Sequence, residues 1–184
     1  MARLIDEPAS TRAWQQGARG EMRTAERLAK HLKDRGVRVL HDRRVPGHGR
    51  ANIDHIAVGA SGVLVIDTKT HRGHIKTERI GGLFAPRRTV LRGPVESGQT
   101  HLIDGVEHQM GYVGTALADA SVPVRGALCF PHVDDLSLLS HLSVRDILID
   151  GPKPIAKLAR QPGPLTDDAI EEIWLRLGRA FPVA

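Results

Sequence analysis

Two aspartates and a lysine lie in two apolar segments that a short turn separates. The stretch reads NIDHIAVGASGVLVIDTK. If GASG forms the loop of a β-hairpin, Val58 faces Val63 and the same register places Asp54 opposite Asp67. Side chains alternate along a strand, so Lys69 lies on the same face as Asp67. The sequence therefore predicts two carboxylates and an ammonium group on one face of a hairpin.

Like charges in this position require a compensating group. Directly opposed residues have Cβ atoms about 4.5–5.5 Å apart. At ~5 Å and an effective dielectric constant of about 20, two carboxylates repel each other by roughly 3 kcal/mol, which is a large part of the roughly 5–15 kcal/mol that stabilises a domain. Oxygen ligands of this kind suit Mg²⁺ or Mn²⁺. We therefore expect Asp54 and Asp67 to bind one of these ions.

Hydrolysis of a phosphodiester bond is the chemistry that this set of groups suits. A divalent ion held by Asp54 and Asp67 would bind the scissile phosphate, lower the pKa of a bound water and stabilise the charge of the transition state. Nearby carboxylates favour the protonated form of Lys69. We therefore expect Lys69 to orient water and stabilise charge rather than to act as a free base.

Glu21 is a third carboxylate expected at this site. Apolar residues recur at spacings of three and four between positions 14 and 34 and predict a helix, with the stripe Trp14, Ala18, Met22, Ala25, Ala29 and Leu32. At roughly 100° per residue, Glu21 lies within about 40° of Leu28 and Leu32. Its carboxylate is therefore expected along the buried edge, where it could hold a second metal ion or a metal-bound water.

The remaining patterns predict an α/β fold. We expect strands over 37–45, 53–59, 62–69, 124–130 and 146–150, a weaker pair within 73–77 and 89–92, a second helix over 101–120, and helices that begin near Pro152 and after Thr166. The continuous apolar run GVLVI is typical of a strand covered on both faces. The order α-β-β-β-α-β with appended C-terminal helices predicts a mixed central sheet flanked by helices.

Positive charge is concentrated in the middle of the chain. Residues 43–92 contain 10 Lys and Arg against 3 Asp and Glu, whereas residues 93–184 contain 7 against 12. A basic segment is typical of a partner with a phosphate backbone, although a solvated surface gives the same composition. The residues expected to bind nucleic acid are Arg43, Arg44, Arg50, Arg72, Lys76, Arg79, Arg87 and Arg88, with Arg92 beside them.

The composition excludes several classes of protein. One cysteine among 184 residues allows no internal disulfide and no multi-cysteine zinc or iron–sulfur site. Two Trp, one Tyr and three Phe are few for a single-strand binder that stacks bases on aromatic rings. No apolar run approaches the roughly 18 residues of a membrane span, and the N-terminal residues lack a secretory signal. We expect a cytoplasmic protein without a membrane partner.

Three motifs occur in order along the chain. GARGE opens the first helix at 17–21, NIDHI lies at 52–56 and is followed by Val58 and Gly59, and GVLVIDTK lies at 62–69 and is followed by Gly73. On these motifs the chain resembles the nuclease-related domain (NERD) family, within the PD-(D/E)XK nuclease superfamily. The resemblance implies a restriction-endonuclease-like core over 17–130, an N-terminal extension over 1–16 and a C-terminal extension over 131–184 packed on the core.

The resemblance also implies roles for particular residues. Position by position, Asp54 and Asp67 match the metal ligands, Lys69 the catalytic lysine and Glu21 the carboxylate of the first helix. Gln109 matches a glutamine of the second core helix, where its own spacing also places it on the inward face. A core amide satisfied by the backbone is the alternative for this side chain. Members usually carry Glu where this chain carries Asp67, which is one methylene shorter, and the superfamily also accepts Asp.

The expected function is that of a nuclease that depends on Mg²⁺ or Mn²⁺ and hydrolyses nucleic acid, with DNA favoured over RNA and a homodimer as one expected assembly. The first alternative is a nucleic-acid-binding module of the same fold with a weak or inactive site. A second is a histidine-based metal protein built on His41, His48, His55, His71 and His74. A third is an interaction scaffold that uses the apolar side of the last helix, which carries Ile170, Ile173, Trp174 and Leu177.

Overall fold

The chain folds around a mixed six-stranded sheet with helices on both faces. The computed structural model describes residues 9–33, 35–49, 51–70, 76–82, 85–92, 100–131 and 142–184. The elements in chain order are α1 (Ala9–Leu32), β1 (Arg38–Arg44), β2 (Asn52–Gly59), β3 (Gly62–Thr68), β4 (Lys76–Gly82), β5 (Ala85–Arg92), α2 (Thr100–Leu117), β6 (Val124–Cys129), β7 (Leu142–Val144), β8 (Ile147–Asp150), α3 (Pro152–Ala159) and α4 (Asp167–Ala180). Among these helices none has both the length and the apolar character that crossing a bilayer demands, within the described ranges.

The strand order of the main sheet is β1-β2-β3-β6-β8-β7. Strands β1, β2 and β3 pair antiparallel, β3, β6 and β8 pair parallel, and β7 returns antiparallel to β8. Strands β4 and β5 form a separate antiparallel pair, longer than the weak pair expected from the sequence. The expected residues 73–75 of that pair lie outside the described part. The α-β-β-β-α-β order and the mixed sheet of a restriction-endonuclease-like core are confirmed.

The hairpin of β2 and β3 has the register predicted from the sequence. Val58 pairs with Val63 and His55 pairs with Ile66. Gly62 adopts a φ of 114°, a value that glycine accepts without strain. Every residue of β3 is buried. Partner strands lie on both sides of β3 and helices cover both faces, which explains its unbroken apolar run.

Helices cover the two faces of the sheet in pairs. Helices α1 and α3 pack on one face, where the buried residues include Leu28, Leu32, Ala57, Leu64, Ile66 and Ala156. Helices α2 and α4 pack on the other face, around Ile56, Val63, Val65, Val113, Ile173 and Leu177. Trp174 donates its indole N–H to the Val39 carbonyl oxygen at 3.4 Å. The apolar side of the last helix therefore packs on the chain's own sheet and is not a free scaffold surface.

The buried face of α1 differs from the apolar stripe expected from the sequence. Met22 is 64% exposed. Leu32 of the expected stripe is buried, Ala29 is exposed, and the side chains of Trp14 and Ala18 lie outside the described residues. The other buried positions are Gly20, Thr24 and Leu28. A Cβ atom on Gly20 would lie 1.9 Å from Cγ2 of Thr70, so α1 approaches the end of β3 with its smallest residues. The prediction was wrong for Met22 and Ala29, because the close contact of Gly20 with Thr70 turns the face that carries Gly20, Thr24 and Leu28 toward the sheet.

The C-terminal segment contributes to the main sheet as well as to the helical layers. Strand β7 pairs with β8 at the edge of the sheet, and α3 packs against α1. The sequence missed β7 because it has three residues and because its turn is formed by Arg145 and Asp146, at φ values of 51° and 62°. Such turns usually carry Asn or Gly. The expected boundary between positions 16 and 17 lies within α1.

Two glycines offer a matched test of this packing. In Gly62→Ala the new Cβ would lie 2.4 Å from the Pro123 carbonyl oxygen at a positive φ, so we expect a loss on the order of 2 kcal/mol of stability. In Gly105→Ala no heavy atom lies within 4 Å of the new Cβ, so we expect a gain of about 0.5–1 kcal/mol from helix propensity. Urea denaturation followed by circular dichroism measures both. Equal effects of the two substitutions would contradict the described turn.

Candidate active site

Asp54 and Asp67 lie where β2 and β3 separate. The last described pair of this ladder is His55 with Ile66, one step before the two aspartates. Beyond it, the Thr68 backbone N–H donates to Oδ2 of Asp54 at 2.7 Å. Both aspartates are buried, with exposed fractions of 6% and 5%. The hairpin therefore continues into a buried acidic site rather than into another cross-strand backbone pair.

The environment of Asp54 opposes its ionisation. Burial, and next the charge of Asp67, raises the pKa of Asp54 to about 8, although the hydrogen bond from Thr68 acts in the opposite direction. A carboxylate in this environment carries its charge only at a cost in free energy. The site therefore favours a bound positive charge.

Lys69 supplies one positive charge to this site. Its Nζ atom lies 2.7 Å from Oδ2 of Asp67, as expected from the alternation of side chains along β3. Burial lowers the pKa of Lys69, but the charges of Asp67, Asp54 and Glu21 outweigh burial and raise it above its ordinary value. Lys69 is therefore protonated and forms an ion pair at neutral pH.

Gln109 reaches the same aspartate from helix α2. Its Nε2 atom donates to Oδ1 of Asp67 at 3.2 Å. Its Oε1 atom is buried and has no hydrogen-bond partner in the structure. A buried amide oxygen without a partner costs free energy unless a water, an ion or a substrate group satisfies it. The side chain thus contacts the site, and it is not a core amide satisfied by the backbone.

Glu21 approaches the site from helix α1 and is half-buried. Burial, followed by the charges of Asp42 and Asp67, raises its pKa. Its charge also contributes to the raised pKa of Asp54. Glu21 therefore lies in the electrostatic surroundings of the two aspartates, as expected from its position along the buried edge of α1.

Asp42 is an acidic neighbour that the sequence did not reveal. The β1–β2 register pairs His41 with His55 and Arg43 with Ile53, so the backbone of Asp42 lies across from Asp54. The charge of Asp42 contributes to the raised pKa of Glu21. Asp42 has a φ of 48°, which marks an irregularity in β1 at this point. Residues 45–51 connect β1 to β2 without a two-residue turn, so the sequence did not indicate this register.

A histidine pair supports the site from the other side of β2. Nε2 of His55 and Oγ1 of Thr68 are 3.3 Å apart, and Nδ1 of His55 lies 2.9 Å from Nδ1 of His41. Burial, with the charge of His41, lowers the pKa of His55 to about 3, so His55 is neutral. Nδ1 atoms at this separation share one proton. The pair connects β1 to Thr68, whose backbone in turn binds Asp54.

The alternative of a histidine-based metal site is not supported by the described residues. His48 contacts the Tyr112 hydroxyl at 3.2 Å, away from the His41–His55 pair. In the described ranges no group of three or more His, Cys, Asp or Glu side chains is arranged to hold a metal ion. His71 and His74, the H-x-x-H pair, lie outside the described residues.

The residues at the aspartate site fit a hydrated divalent cation. Asp54 and Asp67 offer hard oxygen ligands, and the Gln109 amide oxygen is buried without a partner beside them. Mg²⁺ is commonly held by one or two carboxylates and retains several waters. A three-ligand protein cage is therefore not required for this ion.

The basic residues expected to bind nucleic acid lie on different parts of the fold. Arg44 is exposed on the edge strand β1, whereas Arg43 is half-buried and donates to the Phe181 carbonyl oxygen at 3.5 Å. Lys76, Arg79, Arg87, Arg88 and Arg92 belong to β4 and β5, whose backbone lies near β7 at the opposite edge of the sheet. Arg50 and Arg72 lie outside the described residues, as do the side chains of β4 and β5.

Comparison with known families identifies the kind of protein to which this site belongs. A family model described as nuclease-related domain matches residues 16–131. The chain belongs to the NERD family. Its general kind is the PD-(D/E)XK superfamily, in agreement with the mixed sheet. No curated protein and no solved structure matches the chain.

The NERD match covers all the residues that form the candidate site. It extends from α1 to Pro131 and so includes Glu21, Asp54, Asp67, Lys69 and Gln109. Strands β7 and β8 and helices α3 and α4 follow the matched span. The match supports a nuclease-related function in general, and the site geometry is the basis for anything more specific.

The buried charge of Asp54 predicts how stability depends on pH. Its folded pKa of about 8 exceeds the ordinary value, so the folded state binds more protons. In the metal-free protein, the contribution of Asp54 to the free energy of unfolding is therefore fully present below about pH 4. This contribution falls as the pH rises toward 8, by up to about 1.4 kcal/mol per pH unit. In Asp54→Asn this contribution is absent. Denaturation in EDTA at several pH values measures the free energies of unfolding of the two proteins. The value for the wild type should fall relative to that for Asp54→Asn as the pH rises. A difference that stays constant with pH would contradict the assignment.

Proposed function

We propose that this protein is a nuclease that hydrolyses phosphodiester bonds in DNA with the help of Mg²⁺ or Mn²⁺. The observation that supports it is the arrangement of two buried aspartates with an ammonium group 2.7 Å from one of them. These groups combine ligands for a divalent ion with a fixed positive charge. Both are required where a phosphate gains negative charge during hydrolysis.

Asp54 and Asp67 would hold the divalent ion, and Glu21 would bind a second ion or a metal-bound water. Such an ion lowers the pKa of a bound water and neutralises charge on the phosphate. The backbone of Thr68 fixes the carboxylate of Asp54 through its N–H. The ligand oxygens are thus oriented before substrate arrives, which reduces the reorganisation needed during reaction.

Lys69 acts as a charge stabiliser in this proposal. Its raised pKa keeps it protonated at neutral pH, so it donates hydrogen bonds and does not remove a proton from water. The side chain is 27% exposed and can face solvent and substrate while it contacts Asp67. Gln109 holds the same aspartate, and its unpartnered Oε1 can accept a hydrogen bond from a water in the site.

One observation favours the alternative of a nucleic-acid-binding module with a weak or inactive site. Both carboxylate oxygens of Asp67 already have partners in the chain: Oδ2 contacts Lys69 and Oδ1 accepts from Gln109. Asp67 is also one methylene shorter than the Glu usual in the family. A metal ion must therefore share each oxygen with an existing partner, which weakens binding if neither partner moves.

Plasmid cleavage distinguishes the enzyme from the binding module. We expect purified protein with Mg²⁺ or Mn²⁺ to convert supercoiled plasmid to nicked or linear forms. Asp67→Ala and Lys69→Ala should each lower the rate by about 100-fold or more, because each removes charge control at the reacting phosphate. The control is Asp168→Ala, an exposed aspartate of α4. If the wild-type protein binds DNA without cutting it, the binding module is supported. If it cleaves a matched RNA faster than DNA, the DNA preference is overturned.

Metal binding can be measured without cleavage. An ion that binds the folded state at about 100 times its Kd stabilises the protein by about 2.7 kcal/mol. We therefore expect Mn²⁺ to raise the Tm of the wild-type protein and not that of Asp54→Asn. Asp168→Asn makes the same chemical change on the exposed surface of α4 and should keep the wild-type response. An unchanged Mn²⁺ response in Asp54→Asn would exclude Asp54 as a ligand.

A further inference from the structure

Helix α3 presents only basic side chains to solvent. Its exposed residues are Lys153 and Lys157, and the exposed Arg160 follows its last turn. The buried residues of α3 pack against α1 and the sheet. Residues 151–166 contain no Asp or Glu, although the C-terminal part of the chain is acidic as a whole. The helix is therefore a local basic surface within an acidic segment.

Helix α1 extends this basic surface across the α1–α3 contact. Burial and the neighbouring charges of Lys30, Arg160, Lys153 and Arg27 lower the pKa of His31. Four cations from two helices thus surround one imidazole. Lys30 and Lys153 are exposed, and no ion pair links either of them to an acidic residue among the described side chains. The charges of Lys30 and Lys153 are therefore available to a partner.

The basic surface reaches the rim of the candidate active site. Arg23 and Arg27 line an open pocket of about 360 Å³ with Glu26 and Pro131. The Arg27 Nη1 donates to the Pro131 carbonyl oxygen at 3.2 Å. At Gly20, one turn before Arg23, α1 approaches both Pro131 and Thr70, the residue after Lys69. The surface is thus continuous with the end of β3 that carries the site.

We propose that Arg23, Arg27, Lys30, Lys153, Lys157 and Arg160 form a surface that binds the phosphate backbone of nucleic acid beside the cleavage centre. We call these six residues the α1–α3 basic surface. The inference rests on the proposed function for the class of partner. It differs from the sequence-based expectation, which placed phosphate contacts on residues 43–92.

The dimensions and chemistry of the surface favour a nucleic acid. Arg23 and Lys30 are seven residues apart, which is about 10 Å along a helix, and a DNA duplex carries one negative charge per roughly 1.7 Å of its axis. Several phosphates can therefore contact the surface at once. The exposed positions of α3 carry no apolar side chain that could insert into a lipid surface. Lysine and arginine without aromatic neighbours suit sequence-independent contact with a phosphate backbone.

Anisotropy of a labelled 20-base-pair DNA duplex in EDTA tests the surface without cleavage. We expect Lys30→Gln/Lys153→Gln to weaken binding by about tenfold at physiological salt, and to reduce the slope of log K against log salt by about 0.9 per lost phosphate contact. The matched control is Arg38→Gln/Arg176→Gln. It also removes two exposed charges, but these pair with Glu171 and Glu172 at helix α4. We expect its affinity and slope to stay within twofold of the wild-type values.

Each outcome of this measurement supports or overturns a distinct statement. Wild-type binding with an unchanged slope in the Lys30/Lys153 variant would overturn the surface and leave the proposed function intact. Absence of wild-type binding to DNA and to RNA at low salt would overturn both. If vesicles rich in phosphatidylserine bind the wild type and not the variant, while duplex binding is equal, the surface is a membrane contact and the inference is wrong. In the plasmid assay the Lys30→Gln/Lys153→Gln variant should have a higher KM than the wild type and the same kcat.

Discussion

The burial of two like charges at one point of the sheet is the constraint on which the rest of the structure depends. Asp54 and Asp67 follow the last pair of the β2–β3 ladder and are both shielded from water. Two carboxylates in such surroundings are stable only with protons, cations or hydrogen-bond donors near them. Two segments around the aspartates supply these groups: the end of β3, with the Thr68 backbone and the following Lys69, and helix α2, with Gln109.

These contacts explain why the site is built across several layers of the fold. The His41–His55 pair connects β1 to Thr68, and Thr68 connects to Asp54, so the edge strand is coupled to the Asp54 carboxylate. Because His55 is neutral and buried, the connection depends on hydrogen bonds and not on charge. A network in which each polar atom has a partner rigidifies its members. The buried Gln109 oxygen without a partner marks the side on which the network is open.

Helix α1 has two roles, one toward the aspartates and one toward solvent. Its inner edge directs Glu21 toward the aspartates, and its outer face contributes Arg23, Arg27 and Lys30 to the α1–α3 basic surface. The small residue Gly20 allows both roles, since it brings α1 against Thr70 at the end of β3. An acidic centre beside a basic surface would suit the proposed polyanionic substrate and divalent ion together.

Local spacing in the sequence determined the structure of the β2–β3 hairpin and the start of helix α4. The two-residue turn between β2 and β3 fixed their register, the alternation of β3 placed Lys69 beside Asp67, and the Thr166 hydroxyl caps α4 as its sequence indicates. Tertiary structure alone decided the contacts between distant segments. The pairing of α1 with α3 and the burial of Gly20 in place of Met22 depend on packing between elements far apart in sequence. The register that brings Asp42 across from Asp54 joins neighbouring strands, but no two-residue turn indicates it. A tight turn leaves one register open to its strands, whereas elements joined by long connections are oriented by the combined packing of all their neighbours.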